Sequence, residues 1–84
     1  MNYIKVTSIE HLDELLEKHV SSEFVIRSGV LRSSKNIQKQ GDKYIVYHYI
    51  DDTEETVTAE ELMADNIGAA IRNGNFYCET TKDI

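Results

Sequence analysis

Hydrophobic residues recur every three or four positions in two segments of the chain, and this spacing predicts two amphipathic helices. In the first segment, residues 8 to 19, the apolar positions are Ile9, Leu12, Leu15 and Leu16. Thr7 and Glu10 stand before it at the spacing of a capping box, in which a hydroxyl and a carboxylate bond each other's backbone N–H. The pattern therefore predicts a helix that covers a core with one face.

The second segment, residues 58 to 73, has Leu62, Met63, Ile67, Ala70 and Ile71 in its apolar stripe. Thr58 and Glu61 form another capping box, and Asn73-Gly74 is a strong stop signal. Gly68 lies within the stripe and has two interpretations. It lets the helix pack closely on a sheet, or it belongs to a second short helix that restarts after Asp65.

Alternating apolar and polar positions predict the strands. "KYIVYHYI", residues 43 to 50, is the clearest, and because both of its faces are largely apolar or aromatic we expect it to lie in the centre of a sheet. The "QGDK" turn predicts a hairpin between it and the preceding "KNIQ". Shorter strand runs are "NYIKV", "EFVIR", "VLR", "TV" at 56 to 57, and "NFYCE". Gly29 lies between "EFVIR" and "VLR", where we expect it to form a bulge or a bend.

These elements predict an α+β fold with a small antiparallel sheet of three to five strands and two helices packed on it. A chain of 84 residues has room for one core, so we expect a single domain over 1–84, with 80–84 as a frayed tail. The predicted buried residues are Leu15, Leu16, Val46, Leu62, Ile67 and Ile71.

Charge is unevenly distributed along the chain. The formal net charge is -6, yet residues 27 to 43 contain five of the nine basic residues and one acid. The five are Arg27, Arg32, Lys35, Lys39 and Lys43. One interpretation is an exposed hairpin whose cations protect strand edges from pairing with other chains. The other is a positive surface that binds a partner, and these five residues are our candidate binding site.

Catalytic and metal chemistry find little support in the sequence. His11 and His19 are eight residues apart, not four as in a helical metal pair, and His48 stands alone in a strand. Cys78 is best interpreted as a small buried hydrophobe, although the sequence does not show whether it lies beside His48. Phosphate-binding glycine motifs are absent. We therefore expect no catalytic residues, no metal and no cofactor, and a protein that is not an enzyme.

The single cysteine, the charged N-terminal segment and the lack of a long apolar run favour the cytoplasm and argue against a membrane partner. The favoured function is a small interaction or regulatory module that binds another protein. A nucleic-acid-binding module would use the basic hairpin and the strand tyrosines, but the net charge disfavours it. A third hypothesis is an acidic mimic of nucleic acid that uses Asp51, Asp52, Glu54, Glu55, Glu60 and Glu61.

Overall fold

In a computed structural model, which describes residues 2–81, a six-stranded antiparallel sheet carries three short helices on one face. Along the chain the elements are β1 (Asn2–Lys5), α1 (Ile9–Glu17), β2 (Glu23–Ser28), β3 (Leu31–Gln40), β4 (Lys43–His48), β5 (Thr53–Thr58), α2 (Ala59–Ala64), α3 (Asn66–Asn73) and β6 (Phe76–Thr80). The strand order is β1-β6-β2-β3-β4-β5. None of the helices in this range is long and apolar enough to cross a membrane.

The predicted sheet of three to five strands with two helices is wrong, because the strands are more numerous and longer than their hydrophobicity suggests. β3 is ten residues of mostly polar sequence, "LRSSKNIQKQ". It unites the "VLR" and "KNIQ" runs, which the hydrophobic pattern predicts as separate strands. Gly29 is not a bulge: it begins a two-residue loop between β2 and β3, at φ 64. Glycine adopts this positive φ without steric cost, as a tight hairpin turn requires.

β4 has neighbours on both sides, as predicted, and its hairpin with β3 turns at Gly41, also at φ 64. Within the hairpin, Ile37 lies opposite Val46. β4 is nevertheless second from the sheet edge, because β5 is an edge strand and β1, β6 and β2 all lie beyond β3. Strand order depends on contacts between segments far apart in sequence, which local periodicity does not report.

The capping signals are correct for α2 and one residue early for α1. Thr58 and Glu61 form the predicted capping box. Before α1, however, Ser8 is the N-cap, and its hydroxyl accepts a hydrogen bond from the His11 N–H at 3.0 Å. Thr7 instead donates its backbone N–H to Nδ1 of His11 at 3.2 Å. Thr7 and Ser8 are both preferred N-cap residue types, and the Glu10 spacing favoured Thr7 although Ser8 is the cap.

The second predicted helix is two helices that meet at Asp65, which settles the question left open at Gly68. The Asp65 side chain makes no capping hydrogen bond. A Cβ atom on Gly68 would overlap the carbonyl oxygen of Met63, at the end of α2. Arg72 donates to that same carbonyl at 2.8 Å. Gly68 is therefore required where α3 packs against the preceding helix rather than against the sheet.

The core lies between the helices and one face of the sheet. Phe24 of β2 and Phe76 of β6 stack at its centre, with ring centroids 5.4 Å apart and planes 7° from parallel. Of the predicted core, the buried residues are Leu15, Val46, Leu62, Ile67 and Ile71, whereas Leu16 is partly buried. Thr80, assigned to a tail by the sequence, is instead the buried last residue of β6, and 82–84 lie outside the described residues.

Gly68→Ala should destabilise the fold by about 3 kcal/mol, because the added methyl group forces α3 away from the Met63 carbonyl. Gly74→Ala is the matched control. Its φ of 74 strains an alanine, but only Lys5 lies near the added carbon, so we expect a loss of about 1–2 kcal/mol. Urea denaturation measures both, and equal losses would contradict the close contact between α2 and α3.

Glu61 should make stability depend on acid pH. Its carboxylate accepts from the Thr58 backbone N–H at 2.9 Å, and this bond lowers the Glu61 pKa. A pKa that is lower in the folded state stabilises the fold above the unfolded value of 4.5, and this contribution is lost as the pH falls through the folded pKa. The Glu61→Gln variant should therefore lose less unfolding free energy than the wild type when the pH is lowered from about 6 to about 3.

Glu60→Gln is the control for this experiment, since Glu60 lies in the same first turn but outside the capping box. The unfolding free energy of the Glu60→Gln variant should decrease, as the pH is lowered, by the same amount as that of the wild type. Identical pH profiles for Glu61→Gln and the wild type would show that the capping carboxylate is not linked to folding.

Candidate functional site

The face of the sheet opposite the helices, here called the open face, is lined by every second residue of each strand. Its central strands, β6, β2 and β3, contribute Tyr77, Glu79, Glu23, Val25, Arg27, Arg32, Ser34 and Asn36. β1 adds Tyr3 and Lys5, and β4 adds Ile45 and Tyr47. In an antiparallel sheet such a face usually contacts water and is mainly polar. Here it combines aromatic rings with cations.

One end of the open face holds a group of stacked side chains, the tyrosine–arginine cluster: Tyr3, Lys5, Arg27, Arg32 and Tyr77. The Arg27 guanidinium carbon lies 4.9 Å from the Tyr3 ring centroid and 5.9 Å from that of Tyr77. The Arg32 guanidinium lies 5.8 Å from the Tyr3 centroid and donates to the Tyr3 hydroxyl at 2.8 Å. The Lys5 ammonium lies 5.9 Å from the Tyr77 centroid. These contacts hold three cations in place on two rings.

One residue of the open face, Val25, is buried beside the cluster. Val25 lies opposite Tyr77 of β6 and Ser34 of β3. Its side chain is fully buried, yet it does not belong to the core that the helices cover. Since none of the helices within residues 2–81 lies on this face, the neighbouring strand side chains must exclude water from Val25. The rings and the alkyl parts of the arginines therefore have a structural role as well as an exposed surface.

Two further tyrosines on the β4 side are engaged by acids. Tyr47 and Tyr49 meet edge to face with centroids 5.0 Å apart. The Tyr49 hydroxyl donates to Glu23 at 2.8 Å, and the Tyr47 hydroxyl donates to Asp52. These bonds raise the pKa of both phenols, because each carboxylate favours the protonated hydroxyl. This half of the face is therefore acidic, while the tyrosine–arginine cluster is basic.

Beside the cluster, the β2–β3 hairpin ends in two exposed aliphatic residues, the apolar tip. Val30 is 97% exposed and Leu31 is 71% exposed. The β4–β5 turn, at the same end of the sheet, adds Ile50 at 73% exposure. Single exposed apolar residues are ordinary on protein surfaces, but adjoining ones such as Val30 and Leu31 are a mark of interaction sites.

The structure divides the five predicted cations instead of gathering them. Arg27 and Arg32 are opposite each other in the β2–β3 pair and belong to the cluster. Lys43 begins β4 at the other end of the sheet. Lys39 faces the helices and pairs with Asp13 of α1 at 3.2 Å. Lys35 is buried. The candidate binding site therefore narrows to Arg27 and Arg32, with Lys5 joining them from β1.

The edge-protection interpretation is wrong, because the cations do not lie on edge strands. β2, β3 and β4 are all interior strands, and the sheet edges are β1 and β5. On β5 the exposed Glu54 and Glu55 give the edge its charge. Carboxylates on this edge oppose pairing between copies of the chain by mutual repulsion.

Lys35 occupies a polar site that the sequence analysis missed. Its side chain is only 5% exposed, and its ammonium nitrogen lies 2.8 Å from Nδ1 of His48 and 3.2 Å from Oγ of Ser33. Nε2 of His48 lies 3.4 Å from a Glu55 oxygen. Burial lowers the pKa of Lys35, although the negative charges of Asp51, Asp65 and Glu55 oppose this.

A sequence signal for this site did exist. Lys35 is two residues before the apolar Ile37, and His48 is two residues after Val46. Since alternate strand residues share a face, both had to point toward the core.

Cys78 is a core residue, as predicted, and is far from His48. Its side chain is fully buried on the helix-covered face, and burial raises the pKa of the thiol to about 11. The register places Cys78 beside Phe24, Phe24 beside Lys35 and Lys35 beside His48. Cys78 and His48 are thus three strand spacings apart, roughly 14 Å. A cysteine–histidine pair is not formed.

Comparisons with known proteins do not assign this arrangement a function: the chain matches no protein-family model, no curated protein and no solved structure. Over residues 2–81, no three histidine, cysteine, aspartate or glutamate residues are grouped so that they could hold a metal ion. The function is therefore inferred from the surface geometry alone.

A double-mutant cycle tests whether the cluster is held together in solution. Tyr3→Ala, Arg27→Ala and the double variant should show a coupling of about 0.5–1 kcal/mol in unfolding free energy, because each substitution removes the same cation–ring contact. Tyr3→Phe is the control: it keeps the ring and should keep the coupling to Arg27. Additive losses would mean that Arg27 does not rest on the ring.

Proposed function

We propose that the protein is a small interaction module, of the regulatory or accessory kind, that acts in the cytoplasm and binds an acidic segment of another protein. The binding surface is the tyrosine–arginine cluster together with the apolar tip. The observation that carries the proposal is the exposure of Val30 and Leu31 at the tip of the β2–β3 hairpin, immediately beyond the paired Arg27 and Arg32. Leu31 follows the alternation of β3 onto the helix side, so the surface continues from the open face around the hairpin tip.

The apolar tip is not explained by the turn itself. Gly29 supplies the positive φ that the hairpin needs, so the next position accepts a polar residue equally well. A valine and a leucine there leave apolar surface in water, which burial against a partner would remove at about 25 cal/mol per Å². The buried centre of a protein interface is more apolar than the rest of the surface and is enriched in arginine, and this end of the sheet combines both features.

The arginines are organised before a partner arrives. Arg27 lies against two tyrosine rings, and Arg32 is held by the Tyr3 hydroxyl and by Glu79, 3.8 Å away. Fixing a long side chain on binding costs about 0.5–1.5 kcal/mol, so arginines that are already fixed bind a carboxylate at lower cost. The arginine-rich end thus favours acidic segments even though the whole chain is negative.

The geometry favours a protein over a nucleic acid. A stacking site for bases needs free ring faces, but the rings of Tyr3 and Tyr77 already hold cations within 4.9–5.9 Å. The acidic-mimic hypothesis is weaker still, because Asp52, Glu55 and Glu61 already bond within the chain.

The test is capture of partners from the native cytoplasm by the wild type, by Val30→Ser combined with Leu31→Ser, and by Arg27→Ser combined with Arg32→Ser. A true partner should be lost by both double variants, because each removes half of the surface. Lys43→Ser is the control: it removes a cation at the other end of the sheet and should retain the partner.

The captured partner is then bound in purified form at several salt concentrations. Its association rate should fall as salt rises for the wild type, and less so for the arginine double variant. A partner retained by both double variants refutes the proposal. Binding of a labelled single-stranded oligonucleotide that requires both arginines would favour nucleic acid instead.

A further inference from the structure

A cavity of about 360 Å³ opens on the other side of the sheet, where β3, β4 and β5 meet the junction of α2 and α3. Its polar wall includes Ser33, Lys35, His48, Glu55 and Asp65, and Ile67 lies on its apolar side. Nothing in the proposed interaction surface uses these groups. Arg27 and Arg32 belong to the open face, whereas Lys35 faces the helices.

Three side chains in this cavity form a continuous chain of contacts. Lys35 lies 2.8 Å from Nδ1 of His48, and Nε2 of the same ring lies 3.4 Å from Glu55. When Lys35 donates to Nδ1, the imidazole proton lies on Nε2 and points at the carboxylate. A nucleophile in hydrogen-bond reach of a base, with the base oriented by a third group, is the signature of an activated nucleophile.

We propose that Lys35 is a reactive amine that captures small uncharged aldehydes in this cavity, with His48 as the proton acceptor and Glu55 as the residue that positions the ring. A structural role for Lys35 alone would require only that its charge be balanced. The ordered contact through His48 to Glu55 goes beyond this, and the cavity gives a small molecule access to the amine.

The reaction consumes no oxidant or reductant. The lone pair of the neutral Lys35 amine forms a bond to the aldehyde carbon, and the C=O π electrons move to oxygen. His48 accepts a proton from the nitrogen and returns one to the oxygen, which gives a carbinolamine. A second proton transfer lets the hydroxyl leave as water, and the nitrogen lone pair forms the C=N bond of an imine.

The surroundings select the class of aldehyde and the state of the amine. Asp51, Asp65 and Glu55 make the cavity negative, so an aldehyde that carries a carboxylate is repelled. Burial lowers the pKa of Lys35 and raises its neutral fraction at neutral pH. The exposed Lys18 shows the opposite behaviour, because the hydrogen bond with Glu14 raises its pKa.

The test uses the wild-type protein, whose other lysines are internal controls. Short pulses of propionaldehyde with cyanoborohydride convert each imine to a stable propyl-lysine, which peptide mass spectrometry locates. Lys35 should be labelled at least about tenfold faster than Lys5, Lys18 and Lys43 at neutral pH, because the His48 ring lies within hydrogen-bond reach of its nitrogen and can accept a proton from it. A Lys35 labelled no faster than the surface lysines overturns the proposal and identifies it as a buried structural cation.

Variants then separate the roles of the neighbours. His48→Gln should slow labelling of Lys35 by about 100-fold, the low end of proton-transfer catalysis, and leave the surface lysines unchanged. Glu55→Gln retains an acceptor for the imidazole N–H and should retain most of the rate, whereas Glu55→Ala should lose it. If Glu55→Ala reacts like the wild type, Glu55 does not position the ring.

Glyoxylate tests the selection by charge. With glyoxylate in place of propionaldehyde, the preference for Lys35 over the surface lysines should disappear, because the carboxylate is repelled by the acids of the cavity. An equal preference for both aldehydes would refute the assignment to uncharged substrates.

Discussion

The packing of α1, α2 and α3 on one face of the sheet is the constraint on which the other features depend. It places the stacked rings of Phe24 and Phe76 in a dry core, and no other described part of the chain forms a layer over the opposite face. That face still contains a fully buried residue, Val25. Because only strand side chains are available to exclude water there, long residues such as Tyr77 and Arg27 must lie across the sheet. When helices cover only one face of a sheet, long amphipathic side chains have to shield the buried residues of the other face from water.

The same one-sidedness explains how a single basic segment contributes to two different sites. Successive strand residues point to opposite faces, so cations that are adjacent in sequence separate in the fold. Arg32 contacts Tyr3 on the open face. Lys35, three residues later on the same strand, enters the helix-covered side and meets His48. Basic residues that are close in sequence therefore do not have to form one positive surface. The charge of a strand has to be counted separately for each face of the sheet.

Local signals predicted what local interactions determine. The capping box at Thr58 and the alternation in β4 were correct, because each depends on residues only a few positions apart. β3 was not recognised as one strand, since Ile37 is the one buried apolar residue among its ten and the rest of the strand is held by hydrogen bonds to β2 and β4. The tyrosine–arginine cluster could not be predicted for the same reason. Tyr3 and Arg32 are 29 residues apart in sequence, and they meet because β6 pairs with both β1 and β2 and so brings β1 into the sheet.

One row of paired residues shows where apolar packing ends. From β6 to β4 the register runs from Cys78 to Phe24, Lys35 and His48. The first two are fully buried in the core, while the last two line a polar cavity beside the start of α3. Burial that stabilises Phe24 destabilises the charge of Lys35 on the next strand, because removal of water favours neutral groups. The cost at Lys35 is met by its bonds to His48 and Ser33. These bonds allow the Lys35 amine to be buried and still to lie at the wall of the cavity.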